Sequence, residues 1–359
     1  MIMGEMSNPR DTFILNRGSY DSPTDRKVEP GTPKVLPPMG SDLPKNRLGL
    51  AKWLFQDDHP LTARVAVNRF WQMLFGNGLV STPEDFGAQG TFPSHPELLD
   101  WLAADFRETG WDIKRLIKGI MMSATYQQTS SCSTEIYAAD PSNRLLARGS
   151  RFRLSGESIR DSALMISGLL IDEFGGPGVK PYQPGGLWAE VGLGGNPKFV
   201  QDHGDKLYRR SLYTYWKRSA PPPAMQIFDA PTREKCTVQR SRTNTPLQAL
   251  VTLNDVQFVE AARNFAERII TQSADSDSER LQQAFRWTTS RWPTEQETEV
   301  LSQILNEARD TYTKQTEQAE KLLGVGESKS DEEIPAAERA AWTLVASTLF
   351  NLDETLTRE

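Results

Sequence analysis

Three stretches of this chain spell a helix start in side-chain chemistry: Ser94 with Glu97, Thr245 with Pro246 and Gln248, and Thr294 with Glu297. In each, a hydroxyl can accept from a first-turn amide while the partner three residues on reaches back to the cap. Pro246 strengthens the second, because a proline at the first helical position loses no needed N–H. Other starts follow the same logic. Thr62 opens a helix to Phe75, striped by Val67, Phe70, Trp71 and Leu74 and closed by Gly76-Asn77-Gly78. Asp112 caps a helix bearing Ile113, Leu116, Ile117, Ile120, Met121 and Ala124, and Ser155 one bearing Ile159, Ala163, Ile166 and Leu170. Further helices are expected over Leu281–Ser290, after Thr294, and near Ala336–Leu352. This punctuation predicts a mainly α chain: a multi-helix globular domain with a small β element and an irregular Pro-rich N-terminal arm.

The remaining stretches divide the chain. Residues 1–46 read as an extended arm with one short strand at Thr12–Asn16. Residues 47–174 form a helical subdomain, and 175–244 hold a Gly-rich loop and short strands. Residues 245–359 form a C-terminal helical subdomain, expected to be one cooperative unit with 47–174. The β element is placed at Leu207–Trp216, whose aromatic and β-branched residues suit a strand, with Val238 in a partner. Gly175–Pro197 is too rich in Gly and Pro for regular structure. Residues 307–335, charged and broken at Leu323–Gly326, read as a solvated hairpin or a disordered insert.

Polar residues crowd Asp229–Asp255. Arg233, Arg240, Arg242, Asn244 and Asn254 are the expected binding positions there, in a fixed network, because each guanidinium carries five N–H groups that need acceptors. Asn254 falls on the apolar stripe of Leu247, Leu250, Val251, Phe258, Ala262, Phe265 and Ile269, and is expected to tie the helix to a neighbouring loop. Asp255 is expected to partner an arginine. Trp188, with Tyr182 and Phe199, offers a stacking platform for a sugar ring or simply pins the Gly-rich loop.

Reactive chemistry is sparse. Three histidines, His59, His95 and His203, lie in no metal-ligand spacing, and Asp202-His203-Asp205 reads as solvated loop charge, so no metal is expected. C-x-x-C-H is absent, so no covalent haem belongs to this segment and no cofactor is expected in it. There is no G-x-S-x-G elbow, Cys236 has no local histidine, and neither GGPGVK nor GLGGNP has the spacing of a phosphate loop. Cys132 and Cys236 form no disulfide framework. The candidate acid–base residues are Glu157 and Asp161, four apart on one helix beside Arg153 and Arg160, with Asp255 or Asp85 as a further carboxylate. An arginine–carboxylate network reads the same way.

A net charge of −6 argues against nucleic acid as a partner, and no apolar run is long enough to span a bilayer. The N-terminus has no basic segment followed by an apolar one.

The segments Arg64–Ala103, Leu154–Gly168, Cys236–Ile269 and Asn351–Glu359, in that order, resemble the planctomycete domain-of-unknown-function family fifteen-fifty-three. The resemblance covers nearly the whole chain. It implies a C-terminal domain of large exported proteins, extracytoplasmic (periplasmic or cell-surface), often preceded by a c-type cytochrome-like domain that carries the haem. It supplies no activity and no catalytic residue. Because the chain starts where such a domain starts, it reads as a fragment, a chain with a mis-assigned start, or a separately encoded half. Two functions are expected: a non-catalytic binding or assembly module next to a redox domain, or a polysaccharide-active hydrolase or lyase. A cytochrome domain or protein and a polysaccharide are the partners these imply. Carboxylates converging in a cleft favour the enzyme; carboxylates each held by an arginine favour the module.

Overall fold

A computed structural model of the chain describes residues 4–8, 10–192, 198–273 and 276–358. Among them, helices dominate and the β structure is limited to two antiparallel pairs. The chain forms two compact units, Met1–Gln127 with Thr134–Ala147, and Gln128–Ser133 with Arg148–Glu359.

The first unit opens with a hairpin, β1 (Thr12–Leu15) paired with β2 (Pro23–Val28), so the arm holds a second strand in a stretch read as irregular. Helices α1 (Arg47–Leu54), α2 (Thr62–Phe75), α3 (Pro96–Glu108), α4 (Ile113–Met121) and α5 (Thr134–Ala139) follow. Val67, Trp71 and Phe75 of α2 meet Leu99, Leu102 and Phe106 of α3 and Leu116 and Ile120 of α4 in one core. Asn68 is fully buried there, and its amide exchanges two hydrogen bonds with the backbone of Val80, at 3.0 and 2.8 Å. That exchange offsets the cost of removing the amide from water.

The second unit is built on α10 (Val256–Gln272). Before it come β3 (Phe152–Arg153) and α6 (Gly156–Ser167), then the short α7 (Leu187–Glu190) and α8 (Pro223–Ile227), and α9 (Pro246–Asn254). After it come α11 (Asp277–Thr289), α12 (Glu295–Lys314), α13 (Thr316–Leu323), α14 (Ala336–Phe350), α15 (Asp353–Leu356) and β4 (Thr357–Arg358), which pairs with β3. Helix α10 packs against α6 on one side and α14 on another, and α14 carries α12 and α13. Phe258, Phe265 and Ile269 meet Trp342, Val345 and Leu349, and Ala261, Ala262, Ala341 and Ala346 let the helices approach closely. Each large side chain buried there stabilises the unit by about 1.5–3 kcal/mol.

Several expectations are corrected. Leu207–Trp216 is not a strand: two 3-10 turns, Gly204–Tyr208 and Ser211–Tyr213, occupy it, with isolated bridges from Arg209 to Ile171 and from Thr214 to Val179. Leu207, Tyr208 and Arg209 are buried in succession, followed by Ser211 and Thr214, which is not the strict in–out alternation of a strand with one solvent face. Val238 likewise joins no strand. Residues 307–335 are no loose insert, because α12 and α13 bury Ala308, Ala319 and Leu323. Ser94 caps nothing: Pro96 fixes the first turn of α3, which puts His95 at the cap position, and Ser94 instead bonds His95 Nδ1. Thr245 has the extended backbone of a cap but no side-chain cap bond: the Gln248 backbone amide donates to Thr245 O, and the Gln248 side chain turns inward to donate to Ile227 O and Thr243 Oγ1. The reciprocal box of Thr294 and Glu297 is present, and Asp112 and Ser155 cap as expected. Residues 193–197 of the Gly-rich loop, with most of GLGGNP, lie outside the described residues.

Candidate functional site

Glu157 and Asp161 share a face of α6 but not a site. Glu157 Oε2 accepts from Arg240 Nη1 at 2.8 Å. Burial raises the pKa of Glu157, but the bond from Arg240, its own backbone bond and the charges of Arg240 and Arg233 outweigh that and hold the carboxyl below its ordinary range. Asp161 Oδ1 instead accepts from the Ser211 amide at 2.8 Å, with Arg160 Nη1 at 3.7 Å. Each carboxylate therefore belongs to a different arginine, which corrects the expectation of a coupled acid–base pair.

Arg160 is the structural key of this region. It is 4% exposed and donates to Arg209 O (2.9 Å), Ser211 Oγ (3.2 Å), Leu207 O (2.6 Å) and Gln257 Oε1. Those bonds tie α6 to the 3-10 segment and to the first turn of α10. Burial lowers its pKa to about 10, against the pull of Asp161 and Asp255, which leaves it charged at neutral pH.

Asp255 explains why the long apolar stripe fails. Its extended backbone ends α9, and its carboxylate accepts from the Gln257 amide at 3.0 Å to cap α10. The chain therefore changes direction between Leu250 and Phe258, and Leu247 and Leu250 point outward at 58% and 53% exposure. Asn254 is exposed too and bonds only back to Leu250 O, so it ties no loop. Burial pushes the Asp255 carboxyl up, opposed by the Gln257 amide and by Arg160.

Asp255 and Arg160 lie on the wall of a pocket that, counted out to its open mouth, holds about 570 Å³ of empty space. Helix α8 forms another wall through Pro223 and Met225; it sits close to α6 because a β-carbon on Gly156 would come within 2.9 Å of Phe228 Cβ. Opposite lie Lys180, Tyr182, Phe199 and Tyr215. The Tyr182 wall is anchored from behind. Tyr182 Oη accepts from the Glu327 amide at 2.7 Å, and that amide also donates to Glu260 Oε1 at 2.7 Å. Glu260, 1% exposed, further accepts from Ser328 N and from Tyr208 Oη, whose pKa burial and Glu260 push up to about 12. Arg263, equally buried, donates to Ser328 and Ser330. Sequence reasoning passed over Glu260 and Arg263, although an acid–base pair three apart inside an apolar helix is a visible signal.

The remaining nominated residues fall elsewhere. Arg240 is on the surface, Arg233 lies over the Trp216 ring at 4.5 Å, and Arg242 lies over Phe152 at 4.5 Å. Asn244 is exposed, and Arg233, Arg240 and Arg242 of the fixed network expected across Asp229–Asp255 lie at the surface, while Gln248 and Thr252 of the same stretch are buried. Trp188 is 5% exposed, edge-on to Phe199 at 5.4 Å and tilted to Tyr215 at 5.7 Å, with Lys217 Nζ 4.7 Å from its centre. It pins the loop and is no open platform. Cys132 and Cys236 are both exposed and free. Asp202 accepts from Lys180 N and His203 pairs with Glu327, so both are directed at protein groups. Asp85 belongs to the other unit and accepts from Gly87 N.

Residues 46–305 match the family described as PSD1, protein of unknown function (DUF1553). The chain belongs to this family. The PSD1 match spans α1 through much of α12, so it includes α6, α8, α10 and every pocket-lining residue, but stops short of the Glu327–Ser330 segment behind Tyr182. No curated protein and no solved structure matches the chain.

Proposed function

We propose that this PSD1 chain is a non-catalytic binding module of an extracytoplasmic, redox-associated assembly. One observation carries the non-catalytic part: among the described residues lining the pocket, Asp255 is the only carboxylate. Glycoside hydrolysis by paired carboxylates needs two, about 5–9.5 Å apart across the scissile bond. Glu157 and Asp161 are held by Arg240 and by Arg160 with Ser211. What remains is a concave, aromatic- and proline-lined pocket with a few polar groups, the usual character of a ligand site. The extracytoplasmic location and the neighbouring c-type cytochrome, with its haem outside this chain, rest on the family resemblance.

The alternative, a polysaccharide hydrolase or lyase, is favoured by Asp255 itself, a carboxyl with a raised pKa in a pocket. Incubation with soluble polysaccharides separates the two readings. Binding seen by affinity electrophoresis, without new reducing ends or unsaturated products, is expected. Product accumulation abolished by Asp255→Asn would establish the enzyme.

A further inference from the structure

We propose that the pocket between α6, α8 and the first turn of α10 holds a sugar ring of a polysaccharide, gripped by Asp255, Thr214 and Gln183 between aromatic walls. This assignment rests on the binding-module reading and names its ligand and its place.

Thr214 is the decisive group. The residue is 4% exposed and lines the pocket, yet its hydroxyl has no hydrogen-bond partner among the described residues. Gln183 Nε2, on the same wall, is also buried without one. A buried polar atom left unpaired is costly, so such groups in a pocket point to a ligand that satisfies them. Asp255 adds an acceptor: its Oδ1 holds the Gln257 amide, and among the described residues no hydrogen bond reaches Oδ2. A hydroxyl donor, a hydroxyl acceptor and an amide donor converging on one space match a polyol.

The walls narrow the class. Phe199 and Tyr215 present flat faces and edges, and Trp188 behind them fixes their tilt. Rings of this kind suit the C–H faces of a pyranose. Arg160 and Lys180 both line the pocket against one carboxylate, which disfavours a cation and accepts a neutral or acidic sugar.

The test uses the full chain and a panel of methyl glycosides, neutral hexosides and uronides, read by saturation-transfer NMR and titration calorimetry. Thr214→Val keeps the shape of a residue whose hydroxyl bonds nothing among the described residues, and Asp255→Asn keeps the cap on α10. Tyr215→Ala removes a wall from the surface side. Saturable binding of at least one glycoside is expected, weakened about ten-fold or more in each variant while the melting temperature stays within a few degrees. Failure of every glycoside to bind overturns the sugar assignment. Binding unchanged in Thr214→Val and Asp255→Asn overturns the pocket but leaves the module reading intact. Cleavage of polysaccharide chains, in contrast, overturns the module reading while leaving the pocket assignment to the variants.

Discussion

The Cδ of Glu260 lies 2.3 Å from where a β-carbon on residue 326 would stand, so glycine at 326 is what admits the buried carboxylate. Gly326 also has φ of +89°, a conformation that L side chains avoid. Gly326→Ala should therefore destabilise the second unit by at least about 1–3 kcal/mol. Glu260→Ala should cost about 3–5 kcal/mol, because it takes one of two carboxylates from buried Arg263 and leaves the Ser328 amide and Tyr208 Oη without the acceptor they share. Urea unfolding of both variants checks this; wild-type midpoints would refute the anchoring role.

Asp255 should make stability depend on pH in the direction opposite to an ordinary paired carboxylate. Burial raises its pKa in the folded state above the usual 3.8, so its favourable contribution is complete below 3.8 and is lost as pH rises through the folded-state value. Asn cannot ionise and retains the cap. At neutral pH, Asp255→Asn should be at least as stable as wild type, with the difference moving toward wild type as pH falls through the folded-state value to 3.8 and constant below it. Thermal melts across that range decide it. A ligand group kept at a cost in stability is what a binding pocket requires.

The Glu157–Arg240 pair should behave as a surface pair. Arg240 is 42% exposed, so Arg240→Ala should cost no more than about 1 kcal/mol. The buried network expected for Asp229–Asp255 would instead have demanded several. The Glu157 pKa is lowered, so this contribution is present above 4.5 and is lost as pH falls through the folded-state value. Comparing denaturation midpoints of the two proteins at neutral and acid pH reads both effects.

Arg291 bridges Glu297 at 2.6 Å and Glu354 at 2.8 Å. Its hydrogen bond, against some desolvation, brings Glu297 down to about 2. Carboxyl titration by NMR should place Glu297 well below 4.5 in wild type and return it toward 4.5 in Arg291→Ala. Solvent screens the pair, so the loss of stability on acidification from 4.5 toward 2 should be no more than about 1 kcal/mol.

The pattern of side chains along the chain determined its class and many of its helix limits. Thr294 with Glu297, Asp112 and Ser155 act through atoms within one turn, so their caps are written locally. Where a cap bond depended on a distant group the reading held only in part: Thr245 stands at the cap position of α9, but Gln248 turns to Ile227; at Ser94 a local signal was passed over, because Pro96 puts His95 at the cap position. Periodicity also could not reveal that one residue, Asp255, ends a helix and begins another, because both helices keep an apolar face while the chain turns between them. The candidate site was legible only in pieces. Asp255, Tyr182 and Phe199 were singled out, but Thr214, Gln183 and Lys180 carry no spacing that marks them. Only folding decides that residues 160, 182, 214 and 255 face one space, since burial and hydrogen-bond satisfaction are properties of the assembled packing and not of neighbours in sequence.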